Sequence, residues 1–281
     1  MSPIRPAVTV AVNRHPLGLR AFGGGLVLSL ALLGGPGGAA AVPVYTTNFP
    51  ANENPISQGG AWTHISPVWA NVQTSGGEAF GTQVGNLSNP AAFNDSNATL
   101  TGFSPNVTIT ATVHIASNIA DGQTHEVELL FRMAGDATHT RGYEMNFDTG
   151  GNATLVRWEG DLGSYTFINH TGGSNPEVGG LKNGDTISAT VSGSNFTASV
   201  NGIQIYTATD SKWTDGQPGI GFFIRDTVAA DAAFNAKFGF SSLTVTDNTP
   251  LQVVPEPATI GLVGMVLTVA GWISSRRRRS K

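Results

Sequence analysis

Apolar and polar positions alternate with period two through most of the interior of the chain. In the run 107–115, Val107, Ile109, Ala111, Val113 and Ile115 fall on one side. In 126–134, Val127, Leu129, Phe131 and Met133 oppose Glu126, Glu128, Leu130 and Arg132. In 141–148, Tyr143, Met145 and Phe147 oppose Glu144, Asn146 and Asp148. Alternation of this kind marks a strand with one face buried. Shorter runs follow at 155–158, 186–191, 196–200, 203–207, 219–224 and 238–245, broken by Gly, Asn, Asp and Pro. Asn201-Gly202 stands between two of them, the strongest short-range hairpin signal. No segment carries a 3.6-residue period, and no repeat of solenoid length is evident. The spacing predicts an all-β fold, an antiparallel two-sheet sandwich over 42–249, with Val127, Leu129, Phe131, Met133, Tyr143, Phe147, Ile220 and Phe222 buried between the sheets.

Composition fits that reading. Glycine is abundant (36 of 281 residues) and charge is sparse at 12%, which favours strands and turns over helices. The formal charge of −4 hides an asymmetry. The segment 42–249 holds 7 basic residues against 18 acidic ones. A surface of that sign repels phosphate backbones, so no nucleic-acid partner is expected. The chain has no cysteine, which excludes disulfides, thiolate nucleophiles and Cys-ligated zinc.

Both ends read as processing segments. Arg5, Arg14 and Arg20 precede a short apolar stretch at 21–33, a Gly34-Gly35-Pro36 break, and Ala39-Ala40-Ala41. This is the layout of a secretory signal peptide, 1–41, with Ala39 and Ala41 at the positions that signal peptidase reads. An uncleaved anchor would need a longer apolar run. At the other end (250–281), Pro255-Glu256-Pro257 precedes an apolar span, 258–274, and then Arg276, Arg277, Arg278 and Arg279. A helix over that span is about 25 Å long, just enough to cross hydrocarbon. The arginines behind it place the tail in the cytoplasm and the acidic domain outside.

Val-Pro-Glu-Pro-Ala-Thr-Ile-Gly-Leu from Val254, the apolar span and the Arg cluster together resemble the PEP-CTERM sorting signal of Gram-negative bacteria. The resemblance implies an inner-membrane intermediate, recognition by an exosortase-type membrane transpeptidase, removal of the tail, and delivery to the cell surface or matrix in connection with exopolysaccharide. The interior carries a second resemblance. Leu130-Phe131-Arg132, Gly142-Tyr143-Glu144, Asn183-Gly184-Asp185-Thr186-Ile187, Val200-Asn201-Gly202, Pro218-Gly219-Ile220-Gly221-Phe222 and Phe240-Ser241-Ser242-Leu243-Thr244-Val245 follow one another as in the concanavalin-A-like jelly roll, in its LamG and keto-disaccharide-hydrolase-like branch. That implies two curved sheets and a concave face that in many relatives holds sugar.

The candidate chemistry is carboxylate chemistry. Glu126-x-Glu128 invites a glycosidase reading, since glycoside hydrolysis needs two carboxylates across one bond. Laminarinase-like jelly rolls carry a third acid on the same strand, and here that position falls on Phe131 or Leu130, so the mechanism lacks an essential group. The plainer reading is two solvated acids on an outward strand face. If adjacent strands carry Glu128 with Arg132 and Glu144 with Asn146, these four share a face, and Arg132 pairs with a carboxylate in a planar fork suited to sugar hydroxyls. Trp158 and Trp213 offer flat faces for a pyranose ring. The same residues read equally well as a structural Arg–Glu contact and core tryptophans.

No cofactor is expected from the histidines. His64, His114, His125, His139 and His170 are scattered, with no i,i+2 or i,i+4 pair to set a metal geometry. Asp95-Ser96-Asn97 and Asp121-Gly122 carry oxygen ligands of the kind calcium takes, without the spacing of a dedicated loop, and turn chemistry accounts for both as well. The expected function is that of an exported, sorted surface protein whose sandwich binds or structures extracellular polysaccharide. A hydrolase or lyase of modified sugars and a structural protein without ligand stand as alternatives.

Overall fold

Alternation becomes strand wherever a neighbour takes up the backbone hydrogen bonds. The computed structural model describes residues 42–84, 95–116, 125–150, 152–161, 163–168, 180–224 and 232–249. The expected signal segment, the Pro255-Glu256-Pro257 tail with its arginines, Asp121-Gly122 and His170 lie outside the described residues. Among the described residues no helix is long and apolar enough to cross a membrane.

The described chain is all-β, a jelly-roll-like sandwich. Its strands are β1 (Val44–Thr47), β2 (Trp62–Thr63), β3 (Ala70–Ser75), β4 (Glu78–Gly81), β5 (Ser96–Leu100), β6 (Val107–Ile115), β7 (Glu126–Gly135), β8 (His139–Asp148), β9 (Ala153–Asp161), β10 (Tyr165–Ile168), β11 (Thr186–Ser192), β12 (Asn195–Val200), β13 (Ile203–Thr209), β14 (Gln217–Phe223) and β15 (Phe238–Asp247). One short helix, α1 (Ala232–Asn235), precedes β15.

One sheet runs β10-β9-β8-β7-β14-β5, all antiparallel, with β2 beside β5. The other runs β15-β6-β11-β12-β13, with β1 and β4 on the far side of β15. Strand β3 pairs parallel with β5 and antiparallel with β4, so it belongs to both sheets. The core forms between the sheets. Phe131 and Tyr143 meet Phe196 at centroid distances of 6.3 and 4.7 Å, and Phe222 meets Phe240 at 5.1 Å. Val127, Leu129, Phe131, Tyr143, Phe147, Ile220 and Phe222 all lie in this core, as their alternation predicts. Asn201 and Gly202 both take positive φ, 51° and 79°, between Val200 and Ile203. That is the turn their residue types demand.

Met133 departs from the prediction. Pairing between β7 and β8 slips after Phe131↔Tyr143 and resumes at Ala134↔Arg141, so two residues of β7 oppose one of β8. The extra residue resets the alternation. Met133 leaves the main core and joins a second apolar cluster with Leu130.

Arg132 is corrected for the same reason. It sits in the bulge at φ 53°, 3% exposed, with its guanidinium 5.9 Å from the Phe196 centroid. Its bonds go to Pro105 O (Nε, 3.0 Å), Trp213 O (Nη1, 2.8 Å), and Asn106 Oδ1 and Gly193 O (Nη2, 3.0 and 2.6 Å). These acceptors are not the carboxylates of Glu128 and Glu144. Arg132 ties β7 to the 104–106 loop and to the β11–β12 turn of the facing sheet.

The segment between β13 and β14 is clamped to the edge of the first sheet by charge. Tyr143 Oη donates to Asp210 Oδ1 at 2.5 Å and accepts from the Trp213 amide at 2.9 Å. Burial pushes the Tyr143 phenol up to about 12, and the bond to Asp210 adds to the shift. Arg157 bonds both Asp210 and Glu159, and Lys212 reaches Glu159 as well. The Glu159 carboxyl is held down to about 2, first by Lys212, then by Thr166 and Arg157. A carboxylate whose pKa falls on folding stabilises the fold above its unfolded pKa, and that contribution is lost as pH falls through the folded value. Thermal melts of Glu159→Gln and the parent chain are therefore expected to differ from neutral pH down to the ordinary value of 4.5 and to converge as pH approaches about 2. A constant gap over that window would rule out this linkage.

Candidate functional site

The outward side of the first sheet is where structure and sequence part. Glu126 and Glu128, expected as solvated acids, are 5% and 1% exposed, and Glu144 is 4% exposed. The same side also carries an apolar cluster to which an earlier part of the chain contributes. Ile65 and Trp69, in the segment between β2 and β3, pack with Leu130, Met133, Val156 and Trp158 into the second apolar cluster. Trp69 meets Trp158 edge to face at 4.8 Å, and its Nε1 donates to Thr140 Oγ1 at 3.0 Å.

Cross-strand register builds the site in rows on this face. One row runs Asn97, Gly221, Glu128, Asn146, Thr154 across β5, β14, β7, β8 and β9. The next runs Thr99, Gly219, Leu130, Glu144, Val156, Phe167 and ends on β10. Beyond it, Trp158 pairs with Tyr165. Of the four residues expected to share a face, Glu128, Glu144 and Asn146 do so and Arg132 does not; Trp158 lies on the same face. Asn146 Nδ2 donates to Glu126 Oε2 and makes a longer, 3.5 Å contact with Glu144 Oε1. Trp158 Nε1 donates to Glu144 Oε2 at 2.9 Å. Trp213 packs instead on the main core, its Nε1 donating to Trp158 O at 2.8 Å, with Arg141 and Lys212 over its ring.

Two features of this face have no decisive signal in the sequence pattern. Glu144 stands directly opposite Leu130, a position where the sequence lacks a third acid. Oxygens of Asp95, Glu128 and Glu144 lie within 4.8 Å of one another. Carboxylates this close repel unless a proton or a cation lies among them. The second is an aromatic edge. Tyr165 and Phe167 are 50% and 54% exposed. Tyr165 lies 5.6 Å from Trp158 and 5.4 Å from Phe167, each edge to face. The alternation Tyr165-Thr166-Phe167 was visible in the sequence, but a four-residue strand carries too little pattern to separate it from a loop.

This face thus joins a buried acid–amide centre to an open aromatic rim. The buried part can hold a proton or a cation, and the rim presents flat apolar surface to solvent.

No family model matches the chain, and no curated protein matches its sequence. Among solved structures it is similar to the carbohydrate recognition domain of Emp46p in its potassium-bound form (12% identity, 72% of this chain and 95% of that one, TM-score 0.45). It is also similar to the β-porphyranase BpGH16B from the human gut bacterium Bacteroides plebeius (12%, 74% and 91%, TM-score 0.44) and to the carbohydrate binding module CBM66 from Bacillus subtilis (17%, 69% and 96%, TM-score 0.41). At these identities and scores the likeness transfers no activity to this chain.

Proposed function

We propose that this chain is an exported, sorted surface protein whose β-sandwich binds extracellular polysaccharide along the Tyr165–Phe167 edge. The observation that carries the reading is the pair of half-exposed aromatic rings beside Trp158, on the face that also bears the acid–amide rows. Exposed aromatic surface of this kind marks a binding site. A sugar ring offers an apolar face to such rings and hydroxyls to any polar neighbour, so an edge with both suits it. Export and sorting rest on the sequence alone: the basic and apolar leader ending at Ala39 and Ala41, and Pro255-Glu256-Pro257 ahead of the apolar span and Arg276, Arg277, Arg278 and Arg279. The membrane is a partner before the tail is removed, and the exosortase-type transpeptidase is the partner that removes it.

Replacing both Tyr165 and Phe167 with alanine is expected to weaken binding at least tenfold, as removal of exposed aromatic anchors does, with the circular dichroism spectrum unchanged. Affinity electrophoresis against a panel of polysaccharides reads this. If the parent chain is retarded by no polysaccharide, or the double variant is retarded equally, the reading fails. Mass spectrometry of the protein's termini in its own host tests the processing half. Val42 is the expected first residue, with the tail beyond Pro-Glu-Pro absent.

A hydrolase is the second reading, favoured by one observation. Glu128 and Glu144 bring carboxylate oxygens within 4.8 Å, near the roughly 5 Å of retaining glycosidases. Their burial favours a held ion over turnover. Release of reducing ends that Glu128→Gln abolishes would select the enzyme.

A further inference from the structure

We propose that Asp95, Glu128 and Glu144, with the side-chain oxygen of Asn97, form a binding site for one divalent cation of the hard, oxygen-preferring kind, with calcium preferred over magnesium. The site goes beyond the polysaccharide reading and does not depend on it.

The first support is spacing. Two ligands of one ion lie no further apart than twice the metal–ligand distance, about 4.6–5.2 Å for calcium. One oxygen from each of the three carboxylates satisfies this limit, all within 4.8 Å of one another. Magnesium, with bonds of about 2.0–2.1 Å and a strict octahedron, demands a tighter cluster. The donors are carboxylate and amide oxygens from three different strands or their ends, without sulfur or imidazole, which selects against zinc and copper.

The second support is independent of the acids. Asn97 is 2% exposed, yet neither its Oδ1 nor its Nδ2 has a hydrogen-bond partner. A buried primary amide left without partners is costly to keep, and a bound ion or water is among the things that account for one. Asn97 shares a strand face with Asp95, two residues before it. It also lies in the same cross-strand row as Glu128, separated from it only by Gly221.

Gly221 explains how the groups converge. A Cβ built there would stand 2.0 Å from Glu128 Oε2 and 3.0 Å from Glu128 Cδ. The Glu128 carboxylate therefore lies across the backbone of β14, over a position that only glycine leaves open, and reaches toward the strand of Asn97. Trp158 Nε1, bonded to Glu144 Oε2, orients a ligating carboxylate as outer-shell donors do at metal sites.

Isothermal titration of the full chain, stripped with chelator, tests the proposal with calcium chloride and magnesium chloride as the probes. One equivalent of calcium is expected to bind and to raise the melting temperature, with magnesium at least tenfold weaker. Glu128→Gln and Asp95→Asn are expected to lower calcium affinity at least tenfold. Gly221→Ala, whose methyl would displace the Glu128 carboxylate and also stand 3.2 Å from Ser96 O, should do the same, with its circular dichroism spectrum read alongside to show that the variant is folded. Tyr165→Ala with Phe167→Ala should leave calcium binding unchanged, so loss of sugar binding and loss of cation binding are separable results. The proposal is overturned if neither cation binds stoichiometrically or shifts the melt, or if the Glu128 and Asp95 variants bind calcium like the parent. Equal affinity for magnesium overturns the calcium assignment.

Discussion

Replacing Arg132 with alanine is expected to destabilise the fold by at least about 3 kcal/mol, measured as a shift in urea-denaturation midpoint at constant slope. The side chain is 3% exposed and donates to four acceptors on three separate segments. Bonds to a charged group contribute about 1.5–3 kcal/mol each, and deleting the guanidinium removes four at once, while its acceptors, on partly buried or exposed residues, turn to water. Lysine should recover only part of the loss, because a point ammonium cannot match a planar fork with acceptors on several sides. Glycine gives a sharper control. Arg132 holds φ 53°, a left-handed conformation that costs an ordinary residue about 1–2 kcal/mol. Arg132→Gly loses the same bonds and relieves that strain, so it should be more stable than Arg132→Ala by about 1 kcal/mol. An alanine variant as stable as the parent would show that the four bonds contribute nothing net.

Phe131→Ala should be at least as damaging, at about 3–5 kcal/mol, the range for deleting a large ring from a packed core. Phe131 is fully buried, opposite Tyr143 in the sheet and 6.3 Å from Phe196 in the facing one. Its removal opens a void between the two sheets, which rigid strands cannot collapse to fill. Against a total stability of about 5–15 kcal/mol, either substitution removes a large share, and the two together would leave little folded protein. A cost under about 1 kcal/mol for Phe131→Ala would contradict the inter-sheet packing described above.

These neighbours also show where a local reading of the sequence stops. Phe131 was legible because period-two alternation needs only its flanking residues. Arg132 was misplaced, and Met133 with it, because a bulge shifts the alternation by one position and leaves no mark in the residue types. Glycines at 142 and 216, whose Cβ atoms would approach within 2.8 and 2.3 Å of Arg132 O, accommodate the bulge. Nothing in the sequence marks that role: Gly142 falls inside the run 141–148, and Gly216 lies just ahead of the run 219–224.

Burial of the second face was illegible for a different reason. Alternation tells which side chains share a face, and it is silent on what lies against that face. Glu126 and Glu128 alternate as solvated residues do. Part of what lies against that face, Ile65 and Trp69 packed with Leu130 and Trp158, comes from some sixty residues earlier, in a segment without periodicity. The proximity of Asp95, Glu128 and Glu144 is likewise a product of three chain segments meeting, and no spacing along the chain encodes it.

By itself, the sequence determined the strand-rich class, the residues of the main core in the longer strands, the Asn201-Gly202 hairpin and the acidic, cysteine-free character of the domain. Each is a property of neighbouring residues or of summed charge. Only the tertiary structure decided that the outward acids are buried, that Arg132 turns away from them, that Glu144 faces Leu130, and that Tyr165 and Phe167 stand open beside Trp158. The physical reason is that register, bulges and coverage are set by contacts between strands far apart in the chain, and their energies depend on partners that no local window contains.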